Sequence, residues 1–143
     1  MKSIKIKLVK NNNELNQVYK IREIIFSREQ GVSRNLERDI FDGVAKHVIV
    51  LSKNNPIGCA RMRFVNGKAK LERIALLKNY RGKGIGKKVI DYLIKYSKTK
   101  KVKKIFMNSQ YYLKNYYTKF GFEPIGKPFM EAGIKYIKMC LKK

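Results

Sequence analysis

The sequence predicts one α/β domain spanning residues 1–143: a mixed sheet with helices on its faces. Three observations lead there. The chain has 143 residues, and 44% of them are hydrophobic, enough for one sizeable core but not for several. Apolar residues alternate with polar ones in several short runs, the period of half-buried strands, and recur at three- and four-residue spacing in others, the period of amphipathic helices. The resulting order is strand, helix, several antiparallel strands, helix, strand, helix, strand, with no linker or repeat between them.

Ser3 to Val9 places Ile4, Ile6 and Leu8 on one side and Lys5 and Lys7 on the other, a half-buried strand. Asn11, Asn12 and Asn13 are turn or capping residues before a helix with Glu14 in its first turn. Leu15, Val18, Ile21, Ile25 and Phe26 form its apolar stripe, and Gly31 ends it. Asn35 is the expected cap of a short turn over Leu36 to Asp39. Ala45 to Ser52 and Ile57 to Phe64 are strand-like, with a turn at Asn54-Asn55-Pro56. Asn66-Gly67 is the strongest hairpin signal, leading into a strand from Lys68 to about Leu76. Ile85, Val89, Ile90, Leu93 and Ile94 mark a helical face behind Gly84 and Gly86. Ile105-Phe106-Met107 reads as an interior strand, and Tyr112 to Phe120 as a short helix closed by Gly121. Pro124, Gly126 and Pro128 interrupt the tail before a last strand, Ile134 to Leu141.

Composition excludes some classes and leaves others open. Thirty-four Lys and Arg oppose ten Asp and Glu, a formal charge of +24, which attracts anions of any kind: nucleic acid, acidic lipid or a phosphorylated small molecule. Lys outnumbers Arg by 26 to 8, whereas base-edge readout favours Arg forks, so no specific nucleic-acid partner is expected. No run approaches the roughly 18 apolar residues of a membrane-spanning helix. Met1 to Lys10 lacks the apolar core of a secretory signal, so a cytoplasmic location is expected, with no membrane partner. Two cysteines and one histidine make neither a disulfide framework nor an imidazole metal site. Glu37, Asp39 and Asp42 form the one acidic cluster, read equally as a Mg²⁺ site or a solvated face; no metal is expected. His47 is expected to be a hydrogen-bonded structural histidine, and Cys59 and Cys140 buried thiols.

The chemistry-bearing segment is Leu71-Glu72-Arg73-Ile74-Ala75-Leu76-Leu77, followed by Arg81-Gly82-Lys83-Gly84-Ile85-Gly86 and a helix. Closely spaced glycines let backbone amides converge on a ligand, and the helix start adds unpaired N–H groups. Arg81 and Lys83 stand beside that nest, which suits a pyrophosphate. Neither the GxGxxG dinucleotide fingerprint nor a Gly-Lys-Ser/Thr phosphate loop is present.

Leu71 to Gly86 resembles motif A of the GCN-five-related N-acetyltransferase (GNAT) superfamily, whose members transfer an acyl group from acetyl-coenzyme A to an amine. Ile105 to Gln110 and Asn115 to Phe122 resemble its later strand and helix, while Ile25 to Val32 and Met130 to Ile134 resemble a small bacterial-type subgroup. The resemblance implies a largely antiparallel sheet that splays between its fourth and fifth strands and holds acetyl-CoA as cosubstrate in the opening. It sets the pantetheine beside Ile74 to Leu76, and the pyrophosphate on the amides of Gly82, Gly84, Ile85 and Gly86 with Arg81 or Lys83. Asn108, Asn115 and Tyr117 complete the expected cofactor contacts. Tyr117 falls at the family's frequent tyrosine, whose phenol could protonate the departing sulfur; the alternative is a packed core tyrosine. The Leu76 amide is the expected donor to the thioester oxygen.

Glu72 is the first candidate base, Glu29 a second candidate or an orienter of the acceptor, and a water chain the third route; the alternative for both glutamates is simple pairing with Arg22, Arg28, Arg73 or Lys side chains. Arg22, Arg28, Glu29, Gln30, Arg61, Gln110 and Glu131 are the expected acceptor-binding groups, joined by Arg63 and Asn108. Such groups suit an amine bearing a phosphate or carboxylate, such as an amino-sugar phosphate. A polyamine, an amino acid or a peptide amine is the alternative acceptor; a basic nucleic-acid module and an inactive acyl-CoA scaffold are the rival classes. The tail departs from the subgroup at Lys135-Tyr136, where Pro-His often follows Gly-Ile. A homodimer is the general expectation for oligomeric state.

Overall fold

A computed structural model describes residues 3–142; Met1, Lys2 and Lys143, which the one-domain expectation includes, lie outside the described residues. Asn11 caps the first helix, its side chain accepting from the Glu14 amide, and α1 runs Asn12–Arg22. The helix then widens into a π-helical segment, Glu23–Glu29, a rare geometry that is frequent at functional sites. The cap of the short α2 (Arg34–Glu37) is Ser33 rather than Asn35, because the Ser33 hydroxyl reaches the first free amides two residues on.

Seven strands form one sheet: β1 (Ile4–Leu8), β2 (Lys46–Ser52), β3 (Asn55–Val65), β4 (Lys68–Leu76), β5 (Lys104–Gln110), β6 (Phe122–Glu131) and β7 (Ile134–Leu141). Their order is β1-β2-β3-β4-β5-β7-β6, and only β4 and β5 run parallel. Helix α3 (Ile85–Thr99) seals one face, with Ile85, Val89, Ile90 and Leu93 in a core that includes Val48, Val50 and Met62. Helix α1 and the π-helical segment after it seal the other, where Val18, Ile21 and Ile25 meet Ile49 and Cys59. Alternation along β2 and β3 thus serves both cores.

Three further details differ from the sequence expectations. The turn after β2 is Lys53-Asn54, both with positive φ, so Asn55 and Pro56 already belong to β3; Pro56 is tolerated beside a shift of register at Val50/Leu51. The interrupted tail is a ten-residue strand of its own, β6, at the sheet edge. An edge strand keeps one side unpaired, so Pro124 and Pro128 fit, and the ladder simply breaks between Ile125 and Phe129. The expected Tyr112–Phe120 helix is a 3₁₀ turn, Tyr111–Leu113, followed by a short α4, Lys114–Thr118.

Candidate active site

β4 and β5 pair over only four residues, Lys68–Leu71 with Lys104–Met107. Beyond them β4 continues to Leu76 and β5 to Gln110 without pairing to each other, and a cleft of about 330 Å³ opens between the two. Ile74, Asn108, Gln110 and Tyr117 all line it.

A bulge shapes the β4 side. Cys59 faces Ala75 and Arg61 faces Glu72, so the single residue Ala60 spans two on β4, Arg73 and Ile74. Arg73 adopts φ +53°, a left-handed conformation that costs a non-glycine residue on the order of 1 kcal/mol. Past the bulge the Leu77 amide donates to the Ile57 carbonyl at 2.8 Å, which makes Gly58 and Leu76 a non-hydrogen-bonded pair. The Leu76 N–H therefore points away from β3, toward the gap. Gly58 is what permits this approach: a Cβ there would lie 2.6 Å from Leu76 Cδ2 and 2.8 Å from the Ala75 carbonyl oxygen.

The glycine loop follows. Gly82 and Gly84 have φ of +74° and +82°, and a Cβ at either would meet nothing within 4 Å. Gly84 is the N-cap of α3 and supplies no side-chain cap, so the first amides of the helix are free for an external anion. Ile85 is a core side chain and offers only its backbone. Lys83 is exposed. Arg81 is not the free cation expected: its Nη1 and Nη2 donate to Glu29 at 2.7 and 2.9 Å, and its Nε to the Leu76 carbonyl at 2.9 Å. That pair also lowers the pKa of Glu29, so neither partner stands free as base or anion receptor. Tyr116 packs over Gly86, whose added Cβ would fall 2.2 Å from the Tyr116 hydroxyl oxygen. Asn115 is exposed on α4 and outside the cleft lining.

Tyr117 is buried, edge-on to Tyr116 and Phe122. Burial raises its pKa well above the ordinary phenol value, and its hydroxyl makes no hydrogen bond among the described residues. It is a neutral, uncommitted donor at neutral pH.

The opposite wall is built from charge. The acidic cluster is not a solvated face: Glu37 and Asp42 are buried and both are paired with arginines. Arg22 donates to Glu37 at 2.8 Å and to Asp42 at 2.7 Å. Arg61 donates to Asp39 at 2.7 Å, Asp42 at 2.8 Å and Glu72 at 3.0 Å. Arg73 reaches Glu37 at 3.0 Å, while Arg63 and Lys70 hold Glu72 at 2.8 and 3.2 Å. Arg22 and Arg61, each 1% exposed, are therefore not acceptor ligands but internal counter-ions, which corrects the sequence expectation for both. Arg28 is 69% exposed, beside Glu23, and lines no part of the cleft.

Burial alone would raise the pKa of Glu72, but the hydrogen bond from Arg63 and the charges of Arg61 and Lys70 prevail and bring it down to about 2. At neutral pH it is a weak base. His47 is buried, with Nε2 donating to the Asp42 carbonyl at 2.8 Å, and burial lowers its pKa. Burial pushes the Cys59 thiol up to about 12; Cys140 is half-buried.

Gln30 Oε1 accepts from Gln110 Nε2 at 2.7 Å across the cleft; both residues and Glu131 line it. The wall of Glu37, Asp39, Phe41 and Arg73 was missed in the sequence. Its signal is the spacing: three of ten acidic residues fall within six positions of a chain carrying +24, and such a cluster pairs with cations before it stays solvated.

A family model described as an acetyltransferase (GNAT) domain matches residues 15–143. The chain belongs to the GNAT acetyltransferase family. Among Bacillus subtilis proteins, one named as the uncharacterized protein YyaT is 36% identical over 137 residues, covering 94% of this chain and 93% of its own. Another, named as the uncharacterized N-acetyltransferase YjcF, is 31% identical over 137 residues, covering 95% and 98%. The fold matches a crystal structure of a GNAT acetyltransferase from Elizabethkingia anophelis with acetyl-CoA bound, with TM-score 0.79, 18% identity and full coverage of both chains. This GNAT protein is an acetyl-CoA-dependent N-acetyltransferase. Its residues fit that cosubstrate: the open space over Gly82 and Gly84 and the uncapped α3 suit phosphates, and the unpaired edge of β4 suits an amide-rich chain. No helix among the described residues is long and apolar enough to cross a membrane.

Proposed function

We propose that this GNAT enzyme moves the acetyl group of acetyl-CoA directly to the primary amine of a small metabolite held between the β4–β5 opening and the charged wall at residues 34–43. The observation that carries the reading is the convergence on one cleft of the unpaired β4 edge and the buried Tyr117 phenol. Acetyl-CoA supplies the activated thioester. The amides of Gly82, Gly84, Ile85 and Gly86, with Lys83, receive its phosphates; Ile74 and Asn108 flank its arm. The Leu76 N–H stabilises charge on the acyl oxygen, and Tyr117, kept protonated by burial, donates to the departing sulfur.

The amine must lose its own proton before attack. Glu72, held at about 2, and Glu29, tied to Arg81, are both poor acceptors, so the proton leaves through water at the cleft mouth. An amino-sugar phosphate, the acceptor that the chain's charge first suggests, requires Arg63, Lys70 or Arg73 to release Glu72, Glu37 or Asp39. The test is thiol release with glucosamine phosphate, polyamines, amino acids and peptide amines. Saturable release that needs both acetyl-CoA and an amine supports the reading; acetyl-CoA binding with no release on any amine refutes it.

A further inference from the structure

We propose that the acceptor is an amine whose body carries no anionic group, and that Glu131 receives it as the ammonium, which then gives its proton to water at the cleft mouth before the free amine attacks. The inference rests on the transferase reading above and names the substrate class of the same cleft. Its basis is the ion pairing of the cleft wall. Arg22, Arg61, Arg63, Lys70 and Arg73 are all ion-paired to Glu37, Asp39, Asp42 or Glu72. No cation lining the cleft is without a carboxylate partner among the described residues. An acceptor phosphate or carboxylate would have to compete with buried carboxylates for donors already hydrogen-bonded, at the cost of leaving one of those carboxylates uncompensated.

Glu131 is the exception in that lining: it forms no ion pair among the described residues, and it faces the cleft from the opposite side, at the end of β6. Ala132 and Gly133, with φ of +51° and +77°, make a tight two-residue turn that pairs Glu131 with Ile134 and fixes its place. The rest of the mouth on the wall side is apolar, with Phe26, Val32, Leu36 and Phe41. A wall whose cations are all already paired, one free carboxylate and an apolar rim select a cation on an uncharged or apolar body.

Matched amines test this, each pair differing by one anionic group: tyramine against tyrosine, ethanolamine against phosphoethanolamine, glucosamine against glucosamine 6-phosphate. Thiol release gives kcat/KM for each, and calorimetry gives the acetyl-CoA affinity separately. The member without the anion is expected to be favoured about tenfold or more, the scale of one charge-assisted hydrogen bond. Glu131→Gln is expected to raise KM for that member about tenfold, narrow the discrimination, and leave kcat, acetyl-CoA affinity and melting temperature unchanged; Glu131→Asp restores part of the loss. Equal or better turnover of the anionic members, or an unchanged KM in Glu131→Gln, overturns the inference and leaves the transferase reading standing. Intact acetyl-CoA binding with no release on any of the amines overturns both.

Discussion

Replacing Gly58 by alanine tests whether the close approach of β3 to β4 is what aims the Leu76 amide. The new methyl would sit 2.6 Å from Leu76 Cδ2, 2.8 Å from the Ala75 carbonyl oxygen and 3.3 Å from Val50 Cβ. The leucine methyl can rotate aside, but the carbonyl is backbone, so the end of β4 must move by several tenths of an ångström. Overpacking of this kind costs about 1–3 kcal/mol, and the lower unfolded-state entropy of alanine returns up to about 1 kcal/mol. A net loss of about 1–2 kcal/mol in a chain of this size lowers the melting temperature by roughly 3–8 °C. Catalysis should suffer more than stability, since small misplacements at a reacting centre cost up to about a hundredfold. Differential scanning fluorimetry and thiol-release kinetics read the two effects, and acetyl-CoA affinity, set mainly at the glycine loop, should change little. A variant that melts within a degree of the parent and retains its kcat/KM would refute the reasoning.

Gly82→Ala is the complementary case: nothing obstructs its methyl, so its cost is the left-handed strain at φ +74°, roughly 1 kcal/mol, and its kinetic signature should be weaker acetyl-CoA binding by calorimetry. Tyr117→Phe should lower kcat about tenfold or more while melting close to the parent, because the hydroxyl makes no protein hydrogen bond among the described residues; an unchanged kcat and pH–rate profile would remove the acid role. Arg61→Met should cost about 3–5 kcal/mol by leaving Asp39, Asp42 and Glu72 short of a buried partner, seen as a large fall in the urea midpoint. Glu72 and Asp42 are held below the ordinary carboxylate range, so the stability they contribute is present above their unfolded values of about 4 and is lost as pH falls through the folded ones. Acid unfolding should thus begin below about pH 4.5 and continue to about 2; a flat melting temperature from pH 5 to 2.5 would contradict the network.

Most of the sheet was legible because its strands alternate and its tight turns announce themselves. Asn66-Gly67 closes the β3–β4 hairpin with both residues at positive φ, and Gly84 caps α3 as the pattern requires. β6 escaped notice because its prolines contradict a central strand, and sequence alone does not say which strand becomes the edge. The cofactor side of the site was readable for a similar reason: glycines and backbone amides act where they stand in the chain. The acceptor side was not. Arg22, Arg61 and Arg73 lie on α1, β3 and β4, and only the fold shows that they converge on Glu37, Asp39 and Asp42 rather than on a ligand. Arg81 was misjudged likewise, since its partner Glu29 lies 52 residues away.

The short parallel overlap of β4 with β5 has a mechanical consequence. Past Leu71 the two flanks of the sheet are no longer laced together by backbone, and the Gln30–Gln110 amide contact bridges them. Such a jaw, pivoting at Lys68–Leu71, can admit a thicker or thinner amine by parting one pair of side chains, without unzipping any strand. Tolerance for acceptor girth is thereby separated from the integrity of the scaffold, and substituting Gln30 or Gln110 should retune the first without touching the second.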